Sequence, residues 1–301
     1  MLIPFPQLLS DARSHGYAVG YFEAWDVYSL EAVLEAAEGE DVPVILGFGG
    51  IMMEPRWLDG GGLERLGALG LATAQAARVP VALILNEVTA YAQVVRGIQA
   101  GFNAVMLASG DMPYGDNVRV TRQVVATAHA VGAGVEAELG ELPDASGLMG
   151  DLLGSLGTFQ AHGHLTDPAE AARFVAETGI DALGVSVGNV HTLLEGQATV
   201  DWPRLEALHR SVSVPLVIHG GTGFPEDGIP RAIGLGVAKF NFGTFMKQAY
   251  LDGLAQAIAD LPAGYSIQQV MGSRKDTDVL QQGKVRVRQE VARRMRLLGR
   301  G

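Results

Sequence analysis

The sequence predicts an α/β fold, a (β/α)8 TIM barrel, because short apolar runs recur eight times with helical stretches between them. The runs are continuously apolar rather than alternating, which is typical of parallel strands buried on both faces. An open, doubly wound sheet is the alternative, but the glycine-rich dinucleotide turn that would follow its first strand is missing. The eight predicted strands cover residues 17–23, 42–48, 79–85, 103–109, 133–140, 181–187, 214–221 and 238–244.

The segments between the strands carry helical periodicity and the signals of helix ends. After the first strand, "SLEAVLEAAEGE" predicts a helix with Ser29 as its N-cap. Before the sixth strand, Asp167 stands at the cap position, Pro168 at the first helical position and Gly179 just past the end. Strand and helix therefore alternate along the chain, as the barrel requires.

We expect one barrel domain over residues 1–301 with two special segments. Residues 141–166 form a long, glycine-rich stretch after strand five, and a loop of that length predicts a mobile active-site loop. The basic tail, residues 283–301, predicts a C-terminal helix that packs on the barrel or on a neighbouring subunit. Nucleic-acid binding by that tail is the weaker alternative.

Composition excludes several classes of function. A formal net charge of −11 and a pI near 5.1 argue against nucleic acid or an anionic membrane surface as partner. Cysteine is absent, which excludes disulfides, thiolate nucleophiles and thiolate metal ligands. The sequence has neither an 18-residue apolar run nor a signal-peptide pattern, so we expect a soluble, cytoplasmic protein.

Polar side chains collect at the predicted carboxyl ends of the strands, where barrels build their active sites. Residues far apart in sequence should therefore converge on one rim. They are Glu23 with Trp25 and Asp26 after strand one, Asn86 and Glu87 after strand three, Glu136 and Glu138 in strand five, His191 past strand six, His219 after strand seven, and Asn241 and Thr244 in strand eight.

Two histidines with carboxylates on one rim predict a site for a divalent metal ion. Imidazole and carboxylate ligands suit Zn²⁺ first, and Mn²⁺, Co²⁺ or Fe²⁺ as well. His191 and His219 are the candidates, since each lies just past a strand end. The remaining histidines are predicted to lie on helix surfaces (His15, His129, His209) or in the long loop, from which a metal is within reach (His162, His164).

Two glycine-containing turns predict a phosphate site. "HGGTG" spans residues 219–223 and "NFGT" spans 241–244. Glycine lets backbone N–H groups approach an anion, and barrels often bind phosphate after strands seven and eight. The alternative is a plain tight turn. Trp25 either stacks on a sugar face or only caps the barrel.

Three stretches carry a resemblance to a known family: residues 101–140, 166–191 and 214–244. With them, nearly the whole chain resembles the class II, metal-dependent fructose- and tagatose-bisphosphate aldolases. The resemblance implies a (β/α)8 barrel and a zinc ion held by three histidines. It also implies a retro-aldol reaction in which the metal polarises the ketose carbonyl and stabilises an enediolate.

Several residues match that family's site one by one. His191 and His219 fall on two of the three metal histidines, and Glu138 matches a carboxylate near the metal. The resemblance implies phosphate binding by Gly188, Gly220, Gly221, Thr222, Gly223, Asn241, Gly243 and Thr244.

The departures from the family concentrate on proton transfer. The family has Asp-His where this chain has Asn86-Glu87. An amide cannot take a proton at neutral pH, so Asn86 can only orient by hydrogen bonds, whereas Glu87 can replace the imidazole as a ligand. Glu23 stands where the family commonly has Asn, and Ala108 where it usually has Asp.

Two loops also differ from the family. "PDASG" at 143–147 replaces the piece that supplies a proton-transfer Glu, and Thr192 and Glu195 replace a polar, phosphate-facing stretch. We therefore expect Glu87, His191 and His219 to hold the metal. Asn86, Glu23 and Glu138 are the expected catalytic residues, with Asp26 as a further acid/base candidate.

These residues predict a divergent class II aldolase acting on a ketose or keto-sugar with one phosphate or none. A metal-dependent sugar epimerase or isomerase and a non-catalytic homologue are the alternatives. We expect a homodimer or homotetramer that binds a small sugar substrate, without membrane or nucleic-acid partners. A Schiff-base aldolase is disfavoured, because Lys239 is predicted at the start of strand eight, the wrong end of the barrel.

Overall fold

Eight parallel strands close into a barrel in which each strand pairs with its neighbours in sequence and β1 pairs with β8. This computed structural model describes residues 1–110, 112–144, 158–159, 164–193 and 196–299. The predicted (β/α)8 fold is confirmed. The strands are β1 Val19–Phe22, β2 Val44–Gly49, β3 Val81–Val88, β4 Ala104–Leu107, β5 Gly134–Leu139, β6 Ala182–Val185, β7 Leu216–Ile218 and β8 Val237–Phe242.

Helices surround the barrel and connect its strands. In the described parts of the chain they are α1 Phe5–His15, α2 Val27–Glu40, α3 Pro55–Trp57, α4 Leu63–Ala76, α5 Tyr91–Gln99, α6 Tyr114–His129, α7 Pro168–Thr178, α8 Trp202–Ser211, α9 Ile229–Gly234, α10 Thr244–Ala259, α11 Ile267–Val270 and α12 Val279–Leu297. None of the helices described here is long and apolar enough to cross a membrane.

Alternate strand residues point into the barrel, which fixes what lies at its centre. The lower interior is a single apolar cluster that includes Tyr21, Ile45, Ile84 and Val217. Phe5 of α1 belongs to the same cluster and is fully buried. The amino end of the barrel is therefore closed by packing, and a cavity can exist only toward the carboxyl end.

The capping of α2 differs from the prediction. The helix begins two residues before Ser29, and its N-cap is Asp26. The Asp26 carboxylate accepts a hydrogen bond from the Ser29 N–H at 2.8 Å, and the Ser29 hydroxyl accepts one from the Asp26 N–H at 3.0 Å. Ser29 is therefore the third residue of the helix, the N3 position of a capping box, rather than the cap. The ends of α7 are as predicted, with Asp167 as cap and Gly179 in the left-handed conformation.

The C-terminal helix α12 runs from Val279 to Leu297, against the predicted 283–301, and residues 300–301 lie outside the described residues. It packs against α2 and α10. Its basic side chains meet acidic partners: Lys284 lies 2.5 Å from Glu35, and Arg296 lies 2.6 Å from Glu40. These basic side chains form ion pairs within the fold, which argues against nucleic-acid binding by the helix.

The segment after β5 is described only in part. Residues 145–157 and 160–163 of the predicted active-site loop 141–166 lie outside the described residues, and so do His162 and Glu195. Residues 158–159 pair in parallel with 197–198, apart from the barrel.

Replacing Asp26 with alanine should lower the free energy of unfolding by about 1 kcal/mol, because the first turn of α2 loses its capping acceptor. Urea unfolding followed by circular dichroism measures the change. Asp252→Ala, at an exposed position inside α10, is the matched control and should shift the midpoint much less. Equal shifts in the two variants would contradict the capping role.

Candidate active site

A cavity of about 620 Å³ opens at the carboxyl ends of the strands. A second cavity, of about 660 Å³, lies between α10, α11 and α12 and has no histidine among its described lining residues. The first therefore has the chemistry of an active site. Its lining includes most of the predicted site residues: Glu23, Asn86, Glu87, Glu138, His191, His219, Gly220, Thr222, Asn241, Gly243 and Thr244.

Four side chains in this cavity form a group that could hold a metal ion. Ligand atoms of Glu87, Glu138, His191 and His219 all lie within 4.8 Å of one another. His219 Nδ1 is 3.1 Å from Glu138 Oε2 and 3.3 Å from Glu87 Oε1. The structure thus brings the three predicted metal ligands together and adds Glu138. The ligand role of each residue stays a prediction.

The other histidines with described positions lie outside this group. His15 contacts Asp11, and His129 contacts Asp181 at 2.8 Å. The backbone N–H of His164 donates to the Glu141 carboxylate.

Asn86 and Glu87 both line the cavity although they are consecutive in β3. In a regular strand, neighbouring side chains point to opposite faces. Here the pairing of β3 with β4 shifts by one residue between Leu85 and Val88, and Glu87 adopts a left-handed φ of 53°. This bulge turns Glu87 inward, at a backbone cost of about 1–2 kcal/mol. The Asn86 amide then donates to Glu87 Oε2 at 2.8 Å.

A buried ion pair contacts the ring nitrogen of His219 that points away from the cavity. Its Nε2 lies 2.8 Å from Glu136 Oε1, and Lys239 Nζ donates to Glu136 Oε2 at 2.7 Å. Glu136 and Lys239 are both fully buried. With Nε2 engaged, Nδ1 is the nitrogen that faces Glu87 and Glu138. Gly184 lies beside this ring, and a Cβ there would be in van der Waals contact with Nε2, at 3.4 Å.

The buried charges shift one another's pKa values. Burial alone would lower the pKa of His219, but contacts with Glu136, Glu138 and Glu87 raise it well above its usual value. Burial would raise the pKa of Glu87, yet its hydrogen bond with His219 brings that pKa down to about 2. Burial lowers the pKa of Lys239 even though Glu136 opposes the shift.

The position of Lys239 corrects the sequence-based expectation. It was expected at the start of strand eight and at the wrong end of the barrel, but it is the third residue of β8 and lies inside the barrel. Its ammonium group contacts Glu136 rather than the open cavity, so it supports the histidine. A Schiff-base lysine would need access to substrate, and Lys239 is not among the described lining residues.

The glycine turns are set by backbone conformation and close packing. Gly188 has a φ of 102°, and a Cβ there would lie 2.0 Å from the Thr199 carbonyl oxygen. Gly220 has a φ of 67°, and its Cβ would lie 2.0 Å from the Val190 carbonyl oxygen. Only glycine fits at either position. Beside them, Gly221–Gly223 form a single 3₁₀ turn.

Three polar side chains on the cavity floor have atoms that make no hydrogen bond within the described structure. They are the Tyr21 hydroxyl, the Asn86 carbonyl oxygen and both polar atoms of the Asn241 amide. Each of these residues is at least nine-tenths buried and lines the cavity. Because buried polar atoms are normally paired, these atoms favour a polar ligand.

Glu23 has a partner that the sequence did not reveal. Lys247 in the first turn of α10 donates to Glu23 Oε1 at 2.6 Å, and both side chains line the cavity. Trp25 packs edge-on against Tyr250, with ring centroids 5.5 Å apart, and is absent from the described lining of the cavity. The packing role expected for Trp25 is thus favoured over sugar stacking.

Sequence reasoning placed Glu136 on the rim but gave it no role, and it missed Lys239, Lys247 and Tyr21 as parts of this site. Glu136 had a usable signal, since it lies two residues before Glu138 and the strand period places both inside. Lys247 and Tyr21 had no such signal. One lies in a helix and the other in an apolar strand, and only the closed barrel brings them to the cavity.

The comparisons with known proteins agree with the geometry. Residues 4–301 match the family described as fructose-bisphosphate aldolase class-II. The chain is 35% identical over 277 residues to the fructose-bisphosphate aldolase of Geobacillus stearothermophilus, covering 91% of this chain and 92% of that protein. It is 31% identical over 322 residues to the fructose-bisphosphate aldolase of Thermus caldophilus, covering 99% and 98%.

Among solved structures, the YdjI aldolase from Escherichia coli K12 is similar, with a TM-score of 0.81 and 27% identity. That match covers 99% of this chain and 98% of the other.

Replacing Glu136 with glutamine should weaken Zn²⁺ binding about tenfold to a hundredfold, because an amide oxygen is a weaker acceptor for the His219 ring. Competition with a chromophoric chelator measures the affinity. The single variant also leaves Lys239 unpaired, a loss of about 3–5 kcal/mol for a buried ion pair.

Glu136→Gln combined with Lys239→Met removes that unpaired charge and should recover stability without recovering Zn²⁺ affinity. Wild-type affinity in the folded double variant would show that Glu136 does not position the ligand.

Proposed function

Because the chain belongs to the class II fructose-bisphosphate aldolase family and is therefore an aldehyde-lyase, we propose that it cleaves a ketose or ketose phosphate in the cavity at the strand ends. The observation that carries this proposal is the convergence of Glu87, Glu138, His191 and His219 on one point. Family membership favours this lyase over the epimerase and over a non-catalytic homologue.

The residues in the cavity fit a divalent metal ion. Glu138 Oε2 and His219 Nδ1 are buried, and apart from their contacts with each other and with Glu87 neither has a hydrogen-bond partner within the described structure. Two imidazoles with one or two carboxylates are an ordinary set for Zn²⁺, and also for Mn²⁺, Co²⁺ or Fe²⁺. We propose Glu87, His191 and His219 as the ligands, with Glu138 as a fourth donor or a proton acceptor beside them.

The chemistry divides between the ion and the side chains. When bound, a divalent ion would polarise the ketose carbonyl and offset the negative charge that develops as the carbon–carbon bond breaks. Cleavage also takes a proton from the hydroxyl beside that bond and returns one to the carbonyl-side fragment. Besides the proposed ligand Glu87, the cavity is lined by Glu138, Glu23 and Asp144, and we propose Glu138 and Glu23 as the proton acceptors. Asn86 cannot accept a proton, and its role is to orient Glu87 and the substrate.

We propose that the glycine turns after β6 and β7 and the start of α10 bind the phosphate end of the substrate. Of the residues predicted for this role, Gly220, Thr222, Asn241, Gly243 and Thr244 line the cavity. Gly188, Gly221 and Gly223 are not among its described lining residues, and the Gly223 N–H donates to the Gly220 carbonyl within the turn. Support comes from the Asn241 amide, which is buried, lines the cavity and has no partner in the described structure. The N-terminus of α10, a helix of 16 residues, adds a favourable dipole.

We also propose a homodimer or homotetramer, because exposed apolar side chains are concentrated on α10, α11 and the residues around them. They are Leu251, Ile258, Tyr265, Ile267 and Met271, each at least 48% exposed. Apolar surface of this kind marks interaction sites. Light scattering after size-exclusion chromatography should give a mass of two or four chains, and a monomer at micromolar concentration would contradict the proposal.

Removing the metal with a chelator should abolish cleavage of ketose phosphates, and adding back Zn²⁺, Mn²⁺ or Co²⁺ should restore it. A dehydrogenase-coupled assay for dihydroxyacetone phosphate measures the rate. Glu87→Gln keeps the side-chain shape but removes the anionic ligand. Its Zn²⁺ affinity should fall at least about a hundredfold, since losing a ligand costs more than losing its support.

Glu226→Gln is the control, because Glu226 pairs with Arg293 and Arg294 outside the cavity. Full activity in the metal-free enzyme, or unchanged Zn²⁺ affinity in Glu87→Gln, would overturn the metal-dependent mechanism.

A further inference from the structure

The carboxyl rim of the barrel is short of positive charge. Arg56 is the only lysine or arginine in the segments that join each strand to the following helix, which are residues 23–26, 50–62, 89–90, 108–113, 140–167, 186–201, 219–228 and 243. Arg56 is exposed, and it is not among the described lining residues of the cavity. The long segment after β5 contains no lysine or arginine in its sequence either.

Lys247 is the one lysine or arginine among the described lining residues, and its charge is already matched. Its ammonium group lies 2.6 Å from Glu23, whose side chain is only 13% exposed. Glu87, Glu138 and Asp144 line the same cavity and add negative charge. A bound metal ion would offset part of this charge, but that ion belongs to the carbonyl end of the substrate.

The Glu23 carboxylate lies between two strand ends and the Lys247 ammonium group. A Cβ on Gly49 would lie 2.5 Å from Glu23 Oε2, so the carboxylate packs directly against the backbone at the end of β2. A Cβ on Gly243 would lie 3.6 Å from the same oxygen. The carboxylate therefore lies between the ends of β2 and β8, on the β1 side of the cavity.

Among the described residues, the cavity wall on the β2 side of Glu23 is apolar. Ile51 and Met52 follow β2, line the cavity on this side and are 54% and 57% exposed. The glycine turns after β6 and β7 lie farther around the barrel, on the other side of β8, and the start of α10, with Gly243 and Thr244, lies between those turns and Glu23. A ketose bound with its phosphate at those turns would present its other end to Glu23.

We propose that Glu23, fixed by Lys247, is a specificity-determining residue that selects an unphosphorylated, hydroxylated end of the ketose. A carboxylate accepts hydrogen bonds from sugar hydroxyls, whereas it repels a phosphate dianion. The substrate is then a ketose with a single phosphate, held at the glycine turns, and not a bisphosphate. This inference rests on the proposed lyase function.

Aldol addition tests the proposal with a matched pair of acceptors. The zinc-loaded enzyme is given dihydroxyacetone phosphate with glyceraldehyde or with glyceraldehyde 3-phosphate. The donor carbon beside the carbonyl loses a proton and bonds to the aldehyde carbon, and the aldehyde oxygen gains a proton. Wild-type kcat/KM should be at least about tenfold higher for glyceraldehyde, because a nearby carboxylate disfavours the phosphate.

Glu23→Gln should reduce this preference about tenfold, because it removes the repelling charge and frees Lys247 to pair with the phosphate. Glu35→Gln, which breaks an ion pair on the outer helices, is the matched control and should keep the wild-type ratio. Lys247→Met leaves the Glu23 charge unbalanced and should strengthen the preference for glyceraldehyde. If Glu23→Gln is inactive, an unchanged ratio in Lys247→Met overturns the proposal.

Proton exchange separates this inference from the function on which it rests. Dihydroxyacetone phosphate alone, incubated with the zinc-loaded enzyme in D₂O, should exchange a proton on the donor carbon, as proton NMR detects. No exchange and no addition product would overturn the lyase function at this site. Exchange combined with a wild-type preference for glyceraldehyde 3-phosphate would leave that function standing and overturn only the specificity assigned to Glu23.

Discussion

The contact between Glu136, Lys239 and His219 inside the barrel is the interaction on which the rest of the site depends. A lone charge at this depth would be very unfavourable, so the carboxylate and the ammonium group are tolerable only as a hydrogen-bonded pair. The second carboxylate oxygen then engages the histidine ring from behind. Closure of the barrel brings β5, β7 and β8 together, and this arrangement turns the other ring nitrogen toward the cavity.

Strand geometry explains how the remaining groups reach the same point. Alternation places Glu136 below Glu138 in β5, so one residue supports the histidine while the other lines the cavity. The same rule would separate Asn86 from Glu87. A one-residue shift in β3 and a left-handed Glu87 override it, and backbone strain of this kind is concentrated at functional sites.

Charge at the rim bears on what this enzyme binds. Glu87 and Glu23 are carboxylates at positions where the resemblance to the family implies a histidine and an asparagine. A metal ion can balance the carboxylates around His219. Glu23 is balanced by Lys247 instead, so little positive charge is left for a second anionic group on the substrate.

The sequence by itself determined the barrel, because eight continuously apolar runs separated by helices are compatible with few other folds. It also determined the strand-end residues, since parallel strands deliver their carboxyl ends to one rim. The tertiary structure decided which of these side chains contact one another. The contact between Lys247 and Glu23 spans most of the chain, and Lys239 lies inside the barrel only because of its register in β8. Such contacts depend on strand register and closure, which local sequence patterns do not encode.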